Sequence, residues 1–193
     1  GDMVVMDEPL VEMGDKVVSK ALDNRIACWL GIEAIRALGK KKGRGAEIHV
    51  AFTSQEEVGL RGARTAAFRI RPDIGIGVDT TLACDTPGVP EQDRTTEQGK
   101  GFGLHVRDSS FIADKALVAE IAALAEAEGI PYQRTMLRAG GQDGAAAQQA
   151  AAGARAVGIV VGTRYIHTIA EMIHKTDLEA ARDILAAYLK QIG

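Results

Sequence analysis

The sequence predicts an α/β protein in which a mostly parallel β-sheet is covered by helices on both faces. Two observations favour this class. Short apolar runs, typical of buried strands, alternate along the chain with longer segments whose apolar residues recur with the period of a helix. The 193 residues also suffice for one such domain with a substantial buried core. We therefore expect a three-layer α/β/α sandwich.

The strands are predicted from apolar and often β-branched runs that lie between Gly, Pro and charged residues. The run Glu-Ile-His-Val-Ala-Phe-Thr has the pattern of a buried strand. Another run follows a Pro-Asp turn and leads directly into Asp79. The predicted strands are residues 3–6, 16–19, 47–53, 74–78, 101–106, 132–136 and 156–161.

The helices are predicted from their apolar period and from residues that begin or end helices. Asp23 is placed to cap the first helix, because a short carboxylate accepts from free backbone N–H groups, and Gly39 and Gly43 end it. Residues 176–179 (Thr-Asp-Leu-Glu) resemble a capping box that opens the last helix. The predicted helices are residues 23–38, 112–128, 143–152 and 176–191, with one more helix after the tight turn at 58–63.

The composition is that of an ordinary globular protein, with 46% hydrophobic and 25% charged residues and a net charge of -3. The basic cluster at 40–44 is short and lies in a predicted turn, so nucleic acid is not expected as a partner. No apolar run approaches the length of a membrane span, so no membrane partner is expected. Cys28 and Cys84 are isolated, which indicates a reducing, cytoplasmic location rather than a disulfide framework.

Ionisable residues follow the predicted strands at the points where the strands end. Glu56-Glu57 follows one strand, Asp79 the next and His167 a later one, while Asp23 begins the first helix. Ligands of open α/β sheets bind beyond the carboxyl ends of the strands, so these side chains are expected at one edge. Taken singly, each has a simpler interpretation as an exposed acid, a cap or a hydrogen-bonded loop histidine. Their joint arrangement favours a binding site.

The residue types indicate which ligand this site would bind. Carboxylate and imidazole groups suit divalent metal ions such as zinc, cobalt or manganese. Adjacent residues in extended geometry point in opposite directions. One carboxylate of the Glu56-Glu57 pair is therefore free to bind a metal while its neighbour faces the attacking water as a general base. A carboxylate shared by two ions would hold them about 3.5–4 Å apart.

Several segments resemble the TET-type, glutamyl-aminopeptidase-like metallopeptidases, a family that forms self-compartmentalising particles and includes members labelled endoglucanases or cellulases. The resemblance covers nearly the whole chain and is most specific at 54–63. It rests on Ala-Leu-Asp-Asn-Arg at 21–25, Thr-Ser-Gln-Glu-Glu-Val-Gly-Leu-Arg-Gly-Ala at 53–63, Val-Asp at 78–79, Asp-Thr-Pro-Gly at 85–88 and Arg-Tyr-Ile-His at 164–167.

The resemblance implies an aminopeptidase that removes N-terminal residues from peptides with two divalent ions, zinc or cobalt or else manganese. Asp23 would bridge the two ions, and Glu57 and His167 would complete one site. Asp79 would belong to the other site, and Glu56 would be the general base. Residues expected near the substrate are Asp143, Arg164 and Tyr165, and Gln142 departs from the threonine that the family usually has before this aspartate.

One motif of the family is missing from the sequence. The family carries a His-x-Asp motif on an early strand, followed by an inserted β-rich dimerisation domain whose end residues 1–20 resemble. Residues 21–193 would then be the C-terminal part of the catalytic domain. This chain alone is expected to bind at most one metal well, to have little or no peptidase activity, and to lose much of the family's homo-oligomer contact. The remaining histidines, expected to be structural, are His49, His105 and His174.

Three alternative functions stay open. The same metal chemistry fits an amidohydrolase of this fold, either a deacylase or a carboxypeptidase-like enzyme. A chain with an incomplete metal site could instead be a non-catalytic assembly fragment. A glycosidase is disfavoured, because its usual chemistry needs two carboxylates that flank a sugar bond, and the neighbours Glu56 and Glu57 point apart.

Overall fold

The computed structural model describes residues 1–39 and 45–193, which form one β-sheet with helices on both faces. The basic cluster at 40–44, the turn predicted there and Gly43 lie outside the described residues. The strands are β1 (Val11–Met13), β2 (Lys16–Ser19), β3 (Ile74–Leu82), β4 (Phe102–Arg107), β5 (Tyr132–Met136), β6 (Arg155–Arg164) and β7 (Glu171–His174). The helices are α1 (Leu22–Leu38), α2 (Arg61–Ile70), α3 (Lys115–Glu128), α4 (Gly144–Gln149) and α5 (Lys175–Ile192), with a 3₁₀ turn at Glu91–Asp93.

Hydrogen-bonded neighbours among the strands of the described residues follow the order β1-β2-β7-β6-β4-β5. The remaining strand, β3, lies off this path and pairs with β6. β3 with β6 and β4 with β5 are parallel, whereas the other pairs are antiparallel. The predicted α/β class is confirmed, and the sheet is mixed rather than mostly parallel. The reason is that β7 returns directly after β6 through a short turn, which permits only antiparallel pairing, and the β1–β2 hairpin continues that edge.

Helices on the two faces bury two apolar clusters against the sheet. α1, α3 and α5 pack on one face, and α4, with α2 beside it, packs on the other. The larger cluster includes Leu30, Leu104, Ile121, Ile159 and Tyr188, and the smaller one contains Leu60, Ala63, Phe111, Ala145, Ala146 and Ala156.

Among the described residues, no helix combines the length and the apolar character that crossing a bilayer requires.

Two predicted strands do not form. Residues 3–6 and 47–53 pair with no described strand, and most of their apolar side chains are exposed, as Phe52 is at 59%. An extended segment becomes a strand only where another strand satisfies its backbone N–H and C=O groups. Both predictions were wrong. An apolar pattern indicates that a segment can be buried, but it does not indicate that another strand lies beside the segment to pair with it.

The strand β3 is longer than predicted. It pairs with β6 in parallel register as far as Leu82, so Asp79 lies inside the strand and not beyond its end. The short strands β1 and β7 were not predicted, because three or four residues carry too little pattern. The predicted strands at 16–19 and 132–136 are confirmed, and those at 101–106 and 156–161 are confirmed with shifted ends.

Helix α1 begins differently from the prediction. Asp23 and Asn24 have non-helical backbone angles, and the Oδ1 atom of Asn24 accepts the N–H of Ala27 at 3.1 Å. Asn24 is therefore the residue that caps the helix, not Asp23. Gly39 has a positive φ and ends the helix as predicted. The Asp23 carboxylate is left free for the site described below.

The last helix is also capped by a different residue from the one predicted. The His174 ring accepts the N–H of Thr176 at 3.3 Å, so the capping box at 176–179 does not form. The buried Asp177 carboxylate instead accepts the N–H groups of Gly99 and Gly101. The other differences are α3, which begins at Lys115 rather than at 112, and α4, which lies at Gly144–Gln149 rather than at 143–152.

Candidate metal centre

Asp23, Glu57 and His167 bring three potential metal ligands together. The Nε2 atom of His167 lies 3.0 Å from Oδ2 of Asp23 and 3.1 Å from Oε1 of Glu57. The three ligand atoms lie within 4.8 Å of one another. Two carboxylates and one imidazole are donors that suit zinc, with a fourth position left for water or substrate. The structure thus places three of the four predicted ligands in one cluster, and their metal binding stays a prediction.

The three ligands come from separate parts of the chain. Asp23 lies at the start of α1, Glu57 in the turn before α2, and His167 in the turn between β6 and β7. The side chain of Asp23 is only 11% exposed, whereas those of Glu57 and His167 are more than half exposed. The cluster is therefore closed on the side of Asp23 and open to solvent on the other.

A buried carboxylate holds two of these ligand residues in place. Glu171, at the start of β7, is 2% exposed. One of its oxygens accepts the backbone N–H of His167 at 2.7 Å, and the other accepts that of Asp23 at 2.9 Å. Sequence reasoning missed Glu171. The signal that could have found it is an acid at the start of a short apolar run, four residues after His167.

Glu56 lies in the tight turn that also carries Glu57. The Glu56 carbonyl accepts the N–H groups of Gly59 at 3.0 Å and of Leu60 at 2.9 Å. The chain then passes so close to itself that a Cβ atom at Gly62 would lie 2.5 Å from the carbonyl oxygen of Ser54. Glycine is therefore required at 62, and the turn fixes the direction in which both glutamates leave the backbone.

Glu56 is a half-buried carboxyl surrounded by other carboxylates. Burial is the main cause that raises the pKa of Glu56 to about 7, and Asp143, Glu57 and Asp23 raise it further, while His167 opposes them. A carboxyl with a pKa near neutrality is suited to accept a proton and return it at pH 7. These electrostatics support Glu56 as a general base, a role that stays a prediction.

Asp79 is close to the cluster but is not one of its three ligand atoms. It is buried within β3, and burial raises its pKa well above the usual value, with Glu56 and Asp23 adding to the shift. Its Oδ1 atom accepts from Nδ2 of Asn24 at 2.7 Å and from the N–H of Thr80 at 2.8 Å. These bonds fix the carboxyl group and occupy one of its two oxygens. Its role as a ligand stays a prediction.

The predicted substrate residues have different surroundings. The Asp143 carboxyl accepts from the hydroxyl of Thr53, and its other oxygen, Oδ1, is buried without a hydrogen-bond partner in the described structure. Arg164 is engaged elsewhere, since its Nε donates to Oδ1 of Asp85 at 2.6 Å. Tyr165 is 52% exposed in the turn that leads to the cluster. Asp143, which raises the pKa of Glu56, is therefore the one of the three that the contacts tie to the site.

The remaining histidines lie outside the cluster. His105 is buried, with Nδ1 2.9 Å from Oγ1 of Thr135 and Nε2 3.2 Å from Oδ2 of Asp108. His174 contacts Asp15 at 2.8 Å. His49, on the exposed segment 47–53, lies 3.0 Å from Glu47. These contacts support the structural interpretation of all three.

The site carries more negative charge than its own residues neutralise. Burial raises the pKa of Asp23, of Asp79 and of Asp143 as it does that of Glu56. Within the described part of the chain, His167 is the basic side chain that lowers any of these pKa values. Clustered carboxylates are stabilised by a nearby positive charge. The residues present therefore fit a divalent cation.

The fold and the site together define an α/β protein with a carboxylate–imidazole cation site beside a candidate general base. The chain belongs to the M42 glutamyl aminopeptidase family, whose sequence profile matches residues 1–184. The resemblance that the motifs indicated is thereby confirmed.

Relatives and solved structures agree with this membership. A putative aminopeptidase of Acetivibrio thermocellus is 39% identical over 185 residues, which are 96% of this chain and 54% of that protein. The structure of an aminopeptidase from Desulfurococcus kamchatkensis matches with a TM-score of 0.91 and 30% identity, over 96% of this chain and 52% of that one. The TET1 peptidase of Pyrococcus horikoshii, which can assemble into a tetrahedron or a large octahedral shell, matches with a TM-score of 0.82 and 29% identity, over 95% and 53%. The chain thus spans about half the length of these proteins.

Proposed function

We propose that the chain forms the metal-binding part of a metal-dependent aminopeptidase, which removes N-terminal residues from peptides. The observation that carries the proposal is the cluster of Asp23, Glu57 and His167 beside Glu56, in a chain of the M42 glutamyl aminopeptidase family. Relatives named aminopeptidases support this reaction class. Because the chain spans about half of their length, the activity is proposed for the whole protein.

The chain's own residues would hold the metal as follows. Asp23, Glu57 and His167 would bind one divalent ion, zinc or cobalt or else manganese, and Asp23 with Asp79 would contribute to a second site. The bound ions supply Lewis acidity to the peptide carbonyl and to a water. One oxygen of Asp79 is already used by Asn24, so the second site has few free donors on this chain. We therefore expect this chain alone to bind one ion well.

Glu56 would carry the proton transfers. It would take the proton from the attacking water and pass it to the amine of the leaving peptide. The burial that raises its pKa makes the protonated form accessible at neutral pH, which the second transfer requires. Because Glu56 and Glu57 share one tight turn, base and ligand stay at a fixed distance from each other.

A zinc titration of the purified chain, followed by calorimetry, tests the metal site. One tight site per chain is expected, lost in His167→Ala and kept in His49→Ala, because His49 lies outside the cluster. Zinc binding that survives His167→Ala would overturn the ligand assignment. Two tight sites in the unaltered chain would overturn the expectation of one ion.

A substrate panel tests the reaction class. The metal-loaded full-length protein is offered the p-nitroanilides of Leu, Glu and Lys, and N-acyl amino acids in parallel. Release of nitroaniline that stops on chelation supports an aminopeptidase. Hydrolysis of the N-acyl compounds alone would instead support a deacylase.

We also propose that the intact protein is a homo-oligomer, as the similar TET1 peptidase is. Residues 1–20 would be the end of an inserted dimerisation domain and 21–193 the catalytic part. Exposed apolar side chains in the first segment, such as Met3 at 95% and Val4 at 93%, support a contact there. Light scattering after gel filtration checks this, and a monomer at every concentration would contradict it.

A further inference from the structure

The turn that carries His167 contains two residues in an unfavourable backbone conformation. Tyr165 has a φ of 57° and His167 a φ of 63°, in the left-handed region that residues with a side chain rarely adopt. Such a conformation persists only where the surrounding structure holds it. Contacts outside the turn must therefore fix the backbone that presents the imidazole of His167.

The two ends of this turn are held by two different acids. Glu171 accepts the N–H of His167 at one end. At the other end Arg164, the last residue of β6, donates from Nε to Oδ1 of Asp85 at 2.6 Å. The side chain of Asp85 is 9% exposed and that of Arg164 23%, so this ion pair is largely shielded from solvent. A shielded ion pair is weakened less by salt and water than an exposed one.

Gln98 extends the ion pair to the strands on both sides of the turn. Its backbone N–H donates to Oδ2 of Asp85 at 2.8 Å, so both oxygens of that carboxylate are used. Its side-chain amide donates to the carbonyl of Met172, on β7, at 2.7 Å and to that of Gly162, on β6, at 3.3 Å. The network of Asp85, Arg164 and Gln98 therefore contacts the strand that enters the turn and the strand that leaves it.

The segment that carries Gln98 is itself anchored to the core. The N–H groups of Gly99 and Gly101 donate to the two oxygens of Asp177 at 2.8 and 2.7 Å. Asp177 is fully buried in the first turn of α5. The network thus rests on a fixed part of the fold and can resist movement of the turn.

We propose that Asp85, Arg164 and Gln98 are positioning residues, which hold the turn in its left-handed conformation and so fix His167 for metal binding. Asp85 begins the Asp-Thr-Pro-Gly segment at 85–88, which contributes none of the three ligand atoms of the cluster. Its role is then to orient a ligand. Arg164 acts on the metal centre through the backbone rather than on the substrate. The inference rests on the proposed metal site, of which His167 is a ligand.

Calorimetric zinc titration of the chain tests the network with two matched variants, Arg164→Met and Arg155→Met. These arginines lie at opposite ends of β6, and each pairs with an aspartate, Arg155 with Asp114 at 3.1 Å. Arg164→Met is expected to weaken zinc binding by about tenfold or more. Arg155→Met is expected to bind zinc as the wild type does, because Arg155 is far along the strand from the turn.

Asp85→Asn keeps the test decisive if Arg164→Met does not fold. An asparagine has one accepting oxygen for the two donors, Arg164 and Gln98, so the network is weakened with little change of volume. Zinc binding is again expected to weaken. Urea unfolding of each metal-free variant shows that it is folded.

Tyr165→Asn separates positioning from a general loss of stability. Asparagine adopts a positive φ more readily than tyrosine does. Added to Arg164→Met, it is expected to restore part of the zinc affinity and to slow the exchange of the backbone amide hydrogens of 165–168, which Arg164→Met alone makes faster. A residue that merely stabilised the fold would not be compensated in this way.

Two results would overturn the proposal: wild-type zinc affinity in both Arg164→Met and Asp85→Asn, or a loss that Tyr165→Asn does not relieve. If zinc binding is still lost in His167→Ala, the proposed metal site stands and only the role of the network is wrong. Zinc affinity that is unchanged in His167→Ala would contradict both the metal site and the network.

Discussion

Glu171 and His167 are joined by a hydrogen bond of 2.7 Å, in which the buried carboxylate accepts the backbone N–H of the candidate ligand. The other oxygen of Glu171 holds the N–H of Asp23 in the same way. A single buried group therefore sets the separation of two ligands that are distant in sequence. Groups that orient ligands in this way typically change metal affinity by about ten- to a hundredfold when they are replaced.

Glu171→Gln is expected to weaken zinc binding by about tenfold or more. A glutamine side chain has one accepting oxygen, so its NH₂ group would face one of the two N–H donors. Calorimetric zinc affinity is the measurement, and Glu179→Gln, an exposed acid on α5, is the matched control. An unchanged zinc affinity in Glu171→Gln would show that the two ligands are positioned by other contacts.

Glu56→Gln is expected to lower kcat of the metal-loaded full-length protein by about a hundred- to ten-thousandfold, because the general base is lost. Zinc affinity should change little, since Glu56 is outside the ligand cluster. Steady-state kinetics with the preferred p-nitroanilide and zinc calorimetry are read together. Activity near the wild-type level would assign the base to another residue. A joint loss of zinc binding would instead make Glu56 a ligand.

The metal-free chain is expected to lose stability as the pH rises from about 5 to 8. The pKa of Glu56 is raised from its ordinary 4.5 to about 7, mainly by burial, so the folded state favours the protonated form. The raised pKa has no stability cost below 4.5, and the cost develops as the pH rises through about 7. After allowance for solvent screening we expect a loss of about 1–2 kcal/mol.

Urea unfolding in the presence of a chelator measures this dependence. The loss is expected to be smaller in Glu56→Gln, which has no charge to bury, and to be offset when zinc replaces the chelator. Parallel pH profiles for the wild type and Glu56→Gln would rule out Glu56 as the source.

Asn24→Asp is expected to destabilise the protein by about 1–3 kcal/mol. The variant keeps the oxygen that caps α1 through Ala27 but loses the amide that donates to Asp79 at 2.7 Å and to the Val78 carbonyl at 3.0 Å. It also places a second carboxylate against Asp79. Thermal unfolding of Asn24→Asp and Asn24→Ala separates the two roles. An Asn24→Asp variant as stable as the wild type would mean that the cap is the whole contribution of Asn24.

Helix positions and the α/β class could be predicted because the apolar period is a local property of the sequence. The failures in predicting strands share one physical cause. Residues 47–53 have a strand pattern but no pairing partner among the described residues, and β7 is too short to show a pattern yet pairs on both sides. Pairing depends on a second segment, which a local pattern does not record.

The candidate metal centre also has features that the local sequence predicts and features that depend on the tertiary structure. The sequence by itself determined which residue types could bind a cation and which positions carry them: Glu56-Glu57, Asp79 and His167, with Asp23 from the first helix. Only the tertiary structure decided that Asp23, Glu57 and His167 meet, that Asn24 and not Asp23 caps α1, and that Glu171 anchors both ends of the cluster. The reason is that donor chemistry belongs to each side chain, whereas ligand distances, burial and pKa arise from segments far apart in sequence that the packed sheet brings together.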